Sequence, residues 1–109
     1  MTGEQLKLLA KMKKLINAGK RKFVCRKDRD YIQDLLDIGI SEEEAWVEVL
    51  TLSKYNYVHD YKSFSSKIGN DALVFKKDIN GYLVYIKLKI EQYNNNDFTI
   101  CLSFHIDHK

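Results

Sequence analysis

Through the last third of the chain apolar and polar residues alternate with a period of two. Val84, Ile86, Leu88 and Ile90 fall on one side of a run from Tyr82 to Ile90, and Tyr85, Lys87 and Lys89 fall on the other. That period marks a half-buried strand. Phe98 to Asp107 repeats it, with Phe98, Ile100, Leu102, Phe104 and Ile106 as the apolar set and Thr99, Cys101, Ser103, His105 and Asp107 as the polar one. Ala72 to Ile79 precedes both, ending at Asn80-Gly81, the dipeptide preferred where both central residues of a type I′ turn need positive φ. A two-residue loop there pairs Ile79 with Tyr82 and, counting back, Lys76 with Tyr85. A second loop, Asn94-Asn95-Asn96 centred on Asn95, sets Tyr85 opposite His105 and Lys87 opposite Ser103. The pattern therefore predicts a row of ammonium, phenol and imidazole on one sheet face, with Phe75, Val84, Ile86, Phe104 and Ile106 on the other, against helices.

Helical spacing governs the first half. Thr2 to Gln5 has the T-x-x-Q form of a capping box, Leu6, Leu9, Met12 and Ile16 follow one face, and Gly19 offers a stop. Lys22 to Arg26 is a short candidate strand. Arg29 to Asp37 predicts a helix capped by Asp28 and ended near Gly39. Ser41 to Glu44 is another capping box, opening a helix to about Leu52 that buries Ala45, Val49 and either Trp46 or Leu50. From Lys54 to Asp71 the periodicity lapses, which predicts a long irregular connection. Helices followed by hairpin-linked strands give the expected fold class: α+β, N-terminal helices packed on an antiparallel β-sheet with a C-terminal three-stranded meander.

A length of 109 residues, 45% of them hydrophobic, predicts one domain over residues 1–109. Lysines interrupt the first 14 residues too often for a signal peptide or a membrane span, so a cytoplasmic protein without a membrane partner is expected. Cys25 and Cys101 lack C-x-x-C spacing, so reduced thiols are expected instead of a disulfide framework or a zinc knuckle. The net charge of +3 hides an asymmetry, because residues 1–30 hold ten Lys/Arg against three Asp/Glu. A basic block of this kind suits a polyanion such as RNA, and solvated lysines on a helix explain it as simply.

His105 is the first chemical candidate, since imidazole moves protons near neutral pH. Asp107, on the same strand face, could orient its ring. Against this stand an ordinary surface histidine for His105, an ordinary strand aromatic for Tyr85 and edge protection for Lys87 and Lys89. His59 lies among Tyr55, Tyr57 and Tyr61, a composition that suits base stacking and equally a loop tucked against the core. The run His105, Asp107, His108 is a weak metal motif, because adjacent strand residues face opposite ways. No cofactor is expected. Phosphate-loop, dinucleotide and serine-hydrolase motifs are missing from the sequence.

Val84-Tyr85-Ile86-Lys87-Leu88-Lys89-Ile90, Cys101-Leu102-Ser103-Phe104-His105 and the upstream Lys13-Lys14-Leu15-Ile16-Asn17-Ala18-Gly19 resemble the motility quorum-sensing regulator (MqsR) family of toxins, within the RelE-like fold. The resemblance spans nearly the whole chain, loosely in its middle third. It implies a toxin of a type II toxin-antitoxin system: a metal-independent endoribonuclease that cuts mRNA to leave 2′,3′-cyclic phosphate, inhibits translation and is silenced by an adjacently encoded antitoxin protein, expected to be helix-turn-helix. Tyr85 and Lys87 match the family's strand residues. His105 and His59 stand where part of the family has lysine, and Lys76 corresponds to a polar residue before the turn. The expected site is then catalytic His105, Tyr85, Lys76 and His59, with Lys87 and Lys89 on RNA phosphate. A non-catalytic RNA-binding module and a protein-interaction module are the rivals.

Overall fold

The computed structural model describes residues 1–24, 30–61 and 72–107, without the side chains of 59–61. Among them are three helices, α1 (Gly3–Asn17), α2 (Tyr31–Ile38) and α3 (Glu42–Leu50), and five strands, β1 (Arg21–Phe23), β2 (Tyr57–Tyr61), β3 (Ala72–Ile79), β4 (Tyr82–Tyr93) and β5 (Asn96–Ile106). The sheet order is β1-β5-β4-β3-β2. The fold is α+β.

Both expected capping boxes form. The Thr2 hydroxyl accepts from the Gln5 amide while the Gln5 side chain accepts from the Thr2 amide, and Ser41 and Glu44 make the same exchange at α3. Gly19, at φ 79°, ends α1 with bonds from Gly19 to Ile16 and from Lys20 to Leu15, the paired closure that a left-handed residue permits. At α2 the cap is Asp30, whose carboxylate accepts from the Ile32 amide. The expected cap Asp28 and start Arg29 lie outside the described residues, as does Cys25. Trp46, not Leu50, is the fully buried partner of Ala45 and Val49 on α3.

All three helices contribute to one core cluster with the inner side of the sheet: Leu9, Met12 and Ile16 from α1, Leu35 and Ile38 from α2, and Ala45, Trp46 and Val49 from α3 meet Phe75, Val84, Ile86, Leu88 and Phe104. Side chains of this size contribute roughly 1.5–3 kcal/mol each when fully buried. Phe23 stacks on Tyr31 at 4.8 Å and packs on Trp46 at 4.9 Å, tying β1 to α2 and α3.

Two expectations are corrected. The sheet is mixed, not antiparallel, because β1 runs parallel to β5, Lys22 pairing with Ile100. Local turn signals report only hairpins, whereas this pairing joins residues nearly eighty apart. The stretch after Lys54 is also not wholly irregular, since Tyr57–Tyr61 forms β2 on β3. Its alternation is broken by a bulge between Tyr57 and His59, so no period of two survives to be read.

The register at β4 and β5 holds a third correction. The loop is Asn94-Asn95, both at positive φ (49° and 64°), and Tyr93 pairs with Asn96. This departs by one residue from a loop centred on Asn95. A bulge then inserts Leu102 opposite the Lys87/Leu88 step, and Tyr85 falls opposite His105 after all. Below the bulge the two faces of β5 exchange. Thr99 and Cys101 point to the core, with the Thr99 hydroxyl donating to the Met12 carbonyl at 2.9 Å, and Phe98 and Ile100 stand on the face expected to be polar.

Candidate functional site

Three strands supply the site, and their turns fix its register. Asn80 and Gly81, at φ 52° and 84°, close β3 onto β4 with Ile79 opposite Tyr82, and the Asn80 amide donates to the Ile38 carbonyl at 3.0 Å, anchoring the hairpin on the end of α2. Counting along this ladder puts Lys76 opposite Tyr85, and the β4–β5 ladder, with its bulge, puts Tyr85 opposite His105. Their neighbours Phe75, Ile86 and Phe104 form the next rung and are buried in the core. Lys76, Tyr85 and His105 therefore emerge on the face away from the helices.

Within the row the Tyr85 and His105 rings stack at 5.2 Å and 20°. Lys76 Nζ lies 2.7 Å from Asp107 Oδ2, with the carboxylate side chain 11% exposed. The Asp107 amide bonds to the Leu83 carbonyl at 2.8 Å, which pins the acid where it meets Lys76. Sequence reasoning offered Asp107 only as a partner for His105. The lysine reaches past Tyr85 of β4 to an acid beyond it, which one-strand alternation does not reveal.

His105 Nδ1 lies 2.9 Å from the Ile106 carbonyl. A carbonyl oxygen can only accept, so Nδ1 carries the proton in this contact. The neutral ring then keeps its lone pair on Nε2.

The two lysines expected on phosphate differ from each other. Lys87, opposite Ser103, is 9% exposed, and Lys89 meets Glu91 at 3.4 Å. His59 pairs through its backbone with Val74, on the rung shared with Lys87 and Ser103, two residues along from the Lys76 row. Its side chain and all of His108 lie outside the described residues.

At the Asn94-Asn95 end of the same face is a cluster that sequence reasoning missed. Lys22 Nζ sits 4.5 Å from the Tyr93 ring centre and 5.6 Å from that of Phe98, and Tyr93 donates to Glu91 at 2.7 Å. That hydrogen bond holds the proton on Tyr93 and raises its pKa. Only the face exchange at the bulge brings Phe98 here, and alternation alone points it the other way.

The Cys101 thiol, fully buried on the opposite face, has its pKa pushed well up by desolvation, so it is a packing group and not a nucleophile. No protein-family model and no curated protein matches this chain.

Proposed function

We propose that this chain is a metal-independent endoribonuclease acting on mRNA, the toxin of a type II toxin-antitoxin system with a RelE-like fold of the MqsR kind, working in the cytoplasm to inhibit translation. The observation that carries the reading is the cross-strand row in which a lysine held by a carboxylate flanks a tyrosine stacked on a histidine. The motif resemblance around Val84–Ile90 and Cys101–His105 adds to it.

RNA cleavage without a metal uses the neighbouring 2′-hydroxyl. Its oxygen bonds to phosphorus, the bond from phosphorus to the 5′-oxygen breaks, and a 2′,3′-cyclic phosphate remains. The reaction needs a base for the 2′ proton, cations for the charged phosphorane and an acid for the leaving oxygen. In this reading His105 takes the 2′ proton on Nε2 and the Tyr85 hydroxyl donates a proton to the leaving 5′-oxygen, with His59 the second candidate for that role. Lys76 and Lys87 stabilise the phosphorane, and Lys89 meets RNA phosphate farther along the strand.

The test is incubation of the purified protein with single-stranded RNA in the presence of a chelator, with the new ends analysed. Products bearing 2′,3′-cyclic phosphate and 5′-hydroxyl are expected. RNA binding without cleavage would leave a non-catalytic RNA-binding module. An absence of RNA binding even at low salt, where phosphate contacts are strongest, would leave a protein-interaction module. In cells, induction should arrest growth, and coexpressing the gene beside it should relieve the arrest.

A further inference from the structure

The outward side of α2 carries an exposed apolar stripe. Ile32 and Leu36, one helical turn apart, are 56% and 65% exposed, although the same helix buries Leu35 and Ile38 on its inner side. A groove of about 240 Å³ opens beside the stripe, lined by Tyr31, Ile32, Leu35, Leu36, Ile40 and the first residue of α3, Glu42. Scattered exposed aliphatics are ordinary; two at i and i+4 along an open groove form a contiguous patch, the kind that marks an interaction surface.

Charge says what fits there. From Asp30 to Ser53 the chain holds seven Asp/Glu and no Lys or Arg, the reverse of its first thirty residues. Arg21 meets Glu43 and Lys77 meets Glu48, which leaves Asp30, Asp37, Glu42 and Glu44 to set the local potential. Asp37 is on α2 itself, and Glu42 is part of the groove lining. Such a rim repels an acidic or nucleic-acid partner and favours cations around an apolar anchor.

We propose that the groove beside α2 docks a basic amphipathic helical segment of another protein, with two apolar side chains one turn apart against Ile32 and Leu36 and Lys or Arg facing Asp37 and Glu42. This is the helix-in-groove mode of recognition. It stands apart from the ribonuclease reading, since α2 packs on the sheet face opposite Tyr85 and His105.

The test uses a synthetic 16-residue peptide with two leucines four residues apart among lysines and alanines, its counterpart with every lysine replaced by glutamate, and the whole protein. Fluorescence anisotropy at physiological salt should show binding of the lysine peptide only, weakening as salt rises. Leu36→Ser and Ile32→Ser, both at exposed positions, should each reduce affinity roughly tenfold, and Glu42→Lys several-fold, with unchanged circular dichroism. The proposal is overturned if the lysine peptide does not bind, if the glutamate peptide binds equally, or if Leu36→Ser binds as the wild type does. Concentration-dependent dimerisation that Leu36→Ser abolishes would overturn it in favour of a second copy of this chain as the occupant.

Discussion

His105 keeps its Nδ1 proton on the Ile106 carbonyl, and this one contact decides which nitrogen can act as a base. Nitrogen-15 spectra of the neutral imidazole should therefore report the Nδ1-protonated tautomer; the opposite tautomer would remove the assignment. If Nε2 takes the 2′ proton, His105→Ala should lower kcat for RNA cleavage by about 10²-fold or more, with RNA affinity changed only a few-fold, because the lost interaction belongs to the transition state. Wild-type turnover in that variant would shift the chemistry to Tyr85 and His59. Cys101 makes a different prediction. Burial keeps its thiol neutral and lifts its folded pKa above the unfolded 9.0. The resulting stabilisation is whole below pH 9 and declines as pH rises past it, by about 1 kcal/mol per pH unit. Denaturant titrations at pH 8 and pH 10 should show a steeper alkaline loss for wild type than for Cys101→Ala, whatever the cavity costs at neutral pH. Equal slopes would place the thiol in contact with water.

Among the elements, the two hairpins show how far the chain announces its own fold. Asn80-Gly81 was legible because few dipeptides accept two positive φ angles, and everything counted from it, including the Lys76 and Tyr85 pairing, followed. The Asn94-Asn95 loop is one residue away from a loop centred on Asn95, and the Leu102 bulge restores the difference, so the pairing of Tyr85 with His105 survives two departures that cancel. Below the bulge nothing cancels. Thr99 looked like a surface residue and is buried under α1, because its hydroxyl finds the Met12 carbonyl. β1 and β2 were less legible still, one being three residues long and paired far away in sequence, the other interrupted by its own bulge. The loop geometry is open to test. Asn95→Gly should leave the melting temperature unchanged or slightly raised, while Asn95→Ala should cost up to about 1 kcal/mol, because alanine lacks the short polar side chain whose local hydrogen bonding lets asparagine hold a left-handed conformation. Identical melting temperatures would mean that position 95 does not hold positive φ.

For the molecule as a whole, the helices form one layer, and the opposite sheet face carries the candidate chemistry. Trp46 is the residue on which that layering converges, fully enclosed and packed on Phe23. Trp46→Ala should cost about 3–5 kcal/mol and, because α2, α3 and β1 share that contact region, lower the midpoint of a single cooperative transition seen alike by fluorescence and circular dichroism. Two separated transitions would show that the helical layer melts on its own. The bulge in β5 also bears on ancestry. Leu102 is the one surplus residue of that strand, so a related chain without it would carry its counterparts of Ser103 to Ile106 one place earlier. Aligned without a gap, such a relative would show its equivalent of His105 beneath Phe104, and a comparison by position would report the imidazole as lost where only an insertion had occurred.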